Sequence, residues 1–260
     1  MKTKQAKVTS SQPTVTRAKT SKICVEIEGV SSLIQNNFSQ KALEQMLKKH
    51  MGISVVRETK KPREVLEAAT TRNVNGVVCI SPTSIKKGML SAAGMIKNFT
   101  KTNLRIAMFV EGKSIPIEYE EMVPRMDMVR TSGMARTPDI RFRPEFTNWK
   151  AKFVIEFSSD FIDVDSVLDL LDRAGRVGAG EWRPEKGGTF GVYKFARPIT
   201  DPKEIKKVVE GCSVPLVSLR IPPWAMDADI DPKLLQRIAS ADNVSDADDA
   251  HRESEDSQVG

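Results

Sequence analysis

Histidine is nearly missing from this 260-residue chain, with His50 and His251 its only two. A zinc centre draws mainly on His and Cys, and the three cysteines do not make up the shortfall. Cys24, Cys79 and Cys212 are odd in number, far apart, and each in or beside an apolar run. That usage fits reduced, buried thiols rather than a disulfide frame or a metal site. No run approaches the roughly eighteen apolar residues of a membrane helix. The N-terminus lacks an apolar signal-type stretch, so a cytoplasmic protein with no membrane partner is expected. GxxxxGK[ST] is absent, the GAGEWR run from Gly178 lacks the third glycine of a dinucleotide loop, and no serine-nucleophile motif occurs. His50 ends a helical pattern, where a C-terminal cap or a partly buried role fits better than that of a general base. Asp160, Asp163 and Asp165 lie close in sequence, and helix capping accounts for them. The expectation is a non-enzyme without cofactor or metal. A divergent metal-dependent nuclease stays open, since such chemistry needs only two or three acids.

What the chain does have is charge, unevenly spread. Its formal net charge is +6. Residues 1–22 carry Lys2, Lys4, Lys7, Arg17, Lys19 and Lys22 with no acid, whereas residues 241–260 carry seven acids against Arg252. Both ends are poor in large apolar side chains, which predicts a disordered basic arm over 1–22 and an acidic disordered tail within a 222–260 extension. A basic arm and body suggest a nucleic-acid partner, with the tail competing for the same surface; purely solubilising tails are the plainer alternative.

Between the tails, 40% apolar content supports one large domain or two small ones. ICVEIEG (23–29) alternates as a half-buried strand, and a helix follows with Asn37 or Ser39 as cap. Short helical signals cover 64–70, a buried strand 76–80, and a helix 85–99 opened by Ser81 or Thr83. A strand is expected over 104–112, with 115–117 as a possible return. WKAKFVIEFSS (149–159) is a strand, and 163–175 a helix capped by Asp163 or Asp165 and ended by Gly175. Strands over 177–182 and 189–196, a helix over 201–211 and a strand over 214–221 complete the pattern. The order predicts an α+β fold of split βαβ, ferredoxin-like type, an antiparallel sheet with helices on one face. Its core would run over 23–221, as one body or as two βαβ halves, 23–121 and 149–221.

Joining those halves, residues 122–148 hold Arg125, Arg130, Arg136, Arg141 and Arg143 among three prolines and Gly133. Irregular, Arg-rich chain of that length reads as a binding loop. RFRPEF interleaves Arg141 and Arg143 with Phe142 and Phe146, as a phosphate-gripping, base-stacking surface would. An ordinary edge strand, phenylalanines inward and arginines paired with Glu145 or Glu181, fits the same residues.

The densest signal is VGAGEWRPEKGGTFGVYKF (177–195), with Gly178, Gly180, Gly187, Gly188 and Gly191 around Trp182, Arg183, Pro184 and Lys186. Bare backbone beside a ring and two cations suits a polyanion with stackable bases; a hairpin with a solvated tip is the simpler reading. After the helix at 163–175, the G-x-G pair, the basic spacer and GGTFGV resemble the glycine-rich loop of the RAMP superfamily, RNA-binding proteins of CRISPR effector complexes. The resemblance covers some twenty residues, with a longer spacer. It implies a loop made by Gly178, Gly180, Gly187, Gly188, Phe190 and Gly191, and Arg183 and Lys186 near a nucleic-acid backbone. DIRFRPEF and GEWRPEKGGTFG also look like phrases of uncharacterised tailed-phage proteins, which would place the protein in a host cytoplasm. The expected function is thus non-catalytic binding of single-stranded DNA or RNA by a possible homo-oligomer. Arg141, Arg143, Arg183 and Lys186 would meet phosphates, and Trp149, Trp182 or Phe142 would stack on bases. A structural or assembly protein is the rival.

Overall fold

The computed structural model describes residues 18–53, 59–96, 100–130 and 137–226. Of the basic arm expected to be disordered over 1–22, residues 1–17 lie outside the described residues, as do Lys97, Arg136 and the acidic tail; Thr20–Lys22 are instead the start of a strand paired along its length. The chain forms two compact units, one of Met1–Asn37 with Pro62–Val217, the other of Phe38–Lys61 with Ser218–Gly260. In chain order the elements are β1 (Thr20–Gly29), β2 (Leu33–Ile34), α1 (Gln40–His50), α2 (Pro62–Ala69), β3 (Cys79–Ile80), α3 (Pro82–Ala93), α4 (Lys101–Ala107) and β4 (Met108–Val110). They continue with β5 (Ile115–Glu118), β6 (Met122–Arg130), β7 (Pro138–Phe146), β8 (Lys150–Ser158), α5 (Val164–Val177), β9 (Tyr193–Ile199), α6 (Pro202–Ser213) and α7 (Pro223–Met226). Only α1 and α7 belong to the second unit.

In the first unit β1 is central, antiparallel to β8 on one side and to β9 on the other. The far side of β8 is taken in turn by β4 and β5, with β3 beyond β5. Partner numbers shift by three residues between β4 and β5, so one edge strand is interrupted by residues 111–114. The chain travels from β1 through α3 to β4–β5, and from β8 through α5 to β9. Those are two interleaved βαβ units with the sheet order 9–1–8–4/5, which is the ferredoxin-like arrangement. The α+β expectation therefore holds.

Period-two alternation gives the sheet two unlike faces. Val25 and Ile27 of β1, facing Phe153 and Ala151 of β8, are buried on the side where Tyr193 reaches Gly88 of α3. α5 lies beside α3, presenting Val167, Leu171 and Ala174 inward. Its start is as expected, with the Asp163 carboxylate accepting from Ser166 N–H at 2.7 Å. Its end is not: the helix runs past Gly175 to Val177. Gly175 is a point of close approach, where a Cβ would overlap the Tyr193 carbonyl.

The opposite face is polar and partly covered by α6, whose Val208 and Cys212 are buried. Lys150 pairs with Glu28 at 2.7 Å, Arg197 with Glu26 at 2.7 Å, and Lys152 and Arg197 both reach Glu204 of α6, at 3.2 and 2.8 Å. All three cysteines are free and buried as expected, and burial pushes the Cys212 thiol up to about 12.

Three further expectations are corrected. Residues 104–107 are helical: Leu104 and Met108 are fully buried while Ile106 between them is 71% exposed, which fits one helical turn and not period-two alternation; only 108–110 form a strand. Residues 214–221 contribute one bridge, Asn73 to Leu216, and no strand. The span 177–182 likewise holds only the Ile34–Glu181 bridge.

In the second unit Ser39 caps α1 by accepting from Ala42 N–H at 3.1 Å. Gln40 is clamped to Arg220 by two hydrogen bonds, and Lys48 lies 5.5 Å from the Trp224 ring centre.

Candidate nucleic-acid interface

The Arg-rich stretch read as an irregular loop is a regular hairpin. β6 and β7 pair over nine residues each, from Met122–Phe146 to Arg130–Pro138. Pro124 and Pro144 sit opposite one another, which a ladder tolerates at a pair that needs neither amide. Alternation sorts the side chains. Arg125, Asp127, Arg141, Arg143 and Glu145 share one face, and Met126, Met128, Ile140 and Phe142 the other.

The charged face meets the glycine segment. Arg125 lies 4.7 Å from the Phe190 ring centre, and Arg143 lies 5.9 Å from that of Trp182. The guanidinium groups therefore converge, but each has a carboxylate. Arg125 pairs with Asp127 at 2.7 Å and Glu145 at 2.9 Å, Arg141 with Asp139 at 3.0 Å, and Arg183 with Glu185 at 2.8 Å. Arg143 is only 6% exposed and stands 3.6 Å from Asp127, too far for a hydrogen bond. Arg143 Nε and Nη1 and Asp127 Oδ2 are buried without hydrogen-bond partners. A guanidinium so enclosed and paired is not on offer to a phosphate, which corrects the gripping role expected of Arg143 and restricts that of Arg183. Glu185 sits below the usual carboxylate range: burial opposes its charge, but hydrogen bonds from Ser91 and Arg183 outweigh burial.

The glycines serve the chain itself. A Cβ on Gly180 would overlap the Ile34 carbonyl, on Gly188 that of Trp182, and on Gly191 that of Ala179; on Gly178 it would meet Pro184 and Arg183. The segment's amides are used internally as well. Ala179 donates to Gly191, Phe190 to Trp182, Gly191 to Ser32, and Glu181 to Ile34. The bare backbone thus packs on β2 and on itself rather than facing a ligand. Gly187 alone of the five has open space where its Cβ would be.

The two tryptophans part company. Trp149 is core: 1% exposed, its indole donates to the Ser31 carbonyl at 2.9 Å and its ring meets Tyr193 edge-on. It is unavailable for stacking, contrary to expectation. Trp182 is 39% exposed and held at φ 54°, a left-handed conformation that costs a non-glycine residue energy. Lys186, four residues on in the same segment, is exposed, and the Arg141 side chain is 43% exposed. Glu145 pairs with an arginine and the chain is a strand, as the edge-strand alternative expected. Asp127 is the carboxylate of this cluster that the sequence reading did not single out, and the spacing R-x-D at 125–127 was the available signal.

No family model matches the chain, and no curated protein does. Among solved structures it resembles a chain of the type III-B Cmr-beta complex bound to cognate target RNA, with 11% identity and a TM-score of 0.43 over 70% of this chain and 60% of that one. It also resembles Cmr6 from Pyrococcus furiosus, with 8% identity and a TM-score of 0.36 over 69% of this chain and the whole of that one. The present chain spans about 60% of the length of the first. A likeness this distant transfers neither family nor activity. Among the described residues no helix is long and apolar enough to cross a membrane, and no three His, Cys, Asp or Glu side chains gather as metal ligands would.

Proposed function

We propose that the protein is a non-catalytic binder of single-stranded nucleic acid that holds its ligand by base stacking more than by phosphate neutralisation. The observation carrying this is the pair of rings, Trp182 and Phe190, each flanked by a guanidinium, with Trp182 open to solvent. A cation beside an aromatic ring strengthens it as a stacking platform, and every base offers a face. Lys186 and the outer part of Arg141 supply the phosphate contacts, while Arg125 and Arg143 back the rings and Arg183 braces the segment through Glu185 and the Gly180 carbonyl. Gly178, Gly180, Gly188 and Gly191 shape the segment that presents Trp182. Origin in a tailed phage, suggested by the phrases at 139–146 and 180–191, bears on where the protein works and not on its chemistry.

The test is an anisotropy titration of labelled oligo-dT and oligo-U at two salt concentrations. Stacking contributes about 1–3 kcal/mol per base, so Trp182→Ala should weaken binding at least about fivefold. With most cations already paired, the salt dependence should correspond to only a few released counterions. Absence of binding, or a Trp182→Ala protein that binds like wild type, would overturn the reading.

A second reading is favoured by the other hairpin face. Met126 is 67% exposed, Met128 70% and Ile140 47%, a run of apolar side chains on one side of a two-stranded ribbon. Such a face suits contact with a second copy of the chain, giving a structural homo-oligomer.

A further inference from the structure

A second exposed ring stands at the far end of β8. Phe109 of β4 pairs with Glu156, whereas Trp149, near the glycine segment, precedes Lys150; at about 3.3 Å per residue the two ends are ~20 Å apart. Phe109 is 52% exposed between the buried Met108 and the half-buried Val110, and it divides two clefts. One, of about 340 Å³, is walled by Ile106, Ala107, Phe157 and Phe161. That volume is at the lower end of the roughly 300–1,000 Å³ of small-ligand sites. Its one carboxylate, Glu156, is matched by Lys22 at 3.1 Å. The other cleft, of about 280 Å³, is walled by Ser81, Thr83, Lys86 and Lys113. Lys86 Nζ lies 4.2 Å from the Phe109 ring centre and donates to the Arg105 carbonyl at 2.9 Å.

The lysines of the polar sheet face all have carboxylate partners. Lys86 and Lys113 are different: neither makes an ion pair among the described residues. Burial, with the Arg105 charge adding to it, lowers the Lys86 pKa, as expected of an ammonium short of counter-charge. A largely apolar cleft on one side of an open ring, with a cleft on the other side lined by two lysines that make no ion pair among the described residues, is complementary to a flat aromatic group bearing a phosphate.

We propose that the Phe109 edge is a nucleotide-binding site. The base enters the apolar cleft against the ring, and the phosphate lies between Lys86 and Lys113 with the Ser81 and Thr83 hydroxyls within the same cleft. The site does not rest on the stacking face at Trp182. A free nucleotide and one residue of a strand share this chemistry.

The test titrates the full chain with AMP, adenosine, inorganic phosphate and a short oligoadenylate, followed by calorimetry and saturation-transfer NMR. AMP should bind, and Phe109→Ala and Lys113→Ala should each weaken it about tenfold, or ~1.4 kcal/mol. Adenosine should respond to Phe109→Ala alone. If only the oligoadenylate binds, with the same pattern of losses, the site takes a nucleotide within a strand. Should Phe109→Ala not fold, as judged by thermal melting, Phe109→Leu keeps an apolar side chain without a ring and should weaken binding likewise. Absence of binding by both AMP and oligoadenylate overturns the site, and so does phosphate binding that equals AMP and ignores Phe109. Failure here is read from mononucleotides and Phe109, and failure of the stacking reading from oligo-dT, oligo-U and Trp182, so the two are separable.

Discussion

Gly187 and Gly191 share a left-handed backbone, φ 78° and 69°, but not a setting. Around Gly187 there is open space, while a Cβ on Gly191 would overlap the Ala179 carbonyl. Gly187→Ala should therefore cost only the backbone term, about 1–2 kcal/mol. Gly191→Ala adds overpacking against a main chain fixed by the Ala179–Gly191 and Gly191–Ser32 hydrogen bonds, for a loss of roughly 2–5 kcal/mol. Urea unfolding of the two variants measures the difference. Equal, small losses accompanied by lost nucleic-acid binding would return the glycines to a ligand-facing role. The same contrast separates Trp149 from Trp182. One ring is enclosed by Ser31 and Tyr193 and belongs to stability, while the other is presented outward on a strained residue and belongs to the surface.

Among the elements, the β6–β7 hairpin overturns the loop reading of its sequence and bears out the strand alternative. Its prolines and Gly133 suggested a loop, yet the alternation of R-x-D and R-x-R-x-E with apolar neighbours is that of a strand pair. Pro124 opposite Pro144 removes the objection, because a paired position that uses no amide admits both. Which face would be covered could not be read from alternation, since both faces hold side chains able to pack. The glycine segment decides it by meeting Arg125 and Arg143, which leaves the methionines outside. If that apolar face holds copies together, Met126→Glu with Met128→Glu should convert an oligomer to a monomer in sizing chromatography with light scattering. Both side chains are mostly exposed, so the melting temperature should move little. An unchanged elution position would sink the oligomer reading.

For the first unit as a whole, the polar sheet face makes stability depend on pH with a definite sign. A hydrogen bond from Lys150 holds Glu28 below its ordinary pKa, and hydrogen bonds from Arg197 and Lys152 do the same for Glu204. A carboxylate lowered in the folded state contributes stability above its unfolded pKa, and that contribution is lost as pH falls through the lower, folded value. Lys150 is raised by its bond to Glu28, so its own contribution persists until pH passes the ordinary lysine range. The urea midpoint should thus be level between about pH 6 and 8 and decline below about pH 4.5, and molar salt at pH 7 should lower it slightly. A midpoint that rises on acidification would contradict the ion-pair lattice. The sequence by itself determined the strands at β1 and β8, the capped start of α5, the buried thiols and the α+β class, because local periodicity and capping chemistry act over a few residues. Only the tertiary structure decided that Gly175 is a contact and not a stop, that Leu104 lies in a helix and not a strand, and that Trp149 is core. It also decided that the arginines of the hairpin are matched by Asp127, Asp139 and Glu145. Each depends on what a distant segment places opposite the residue: a carbonyl, a ring or a carboxylate far along the chain. No local pattern encodes that neighbour.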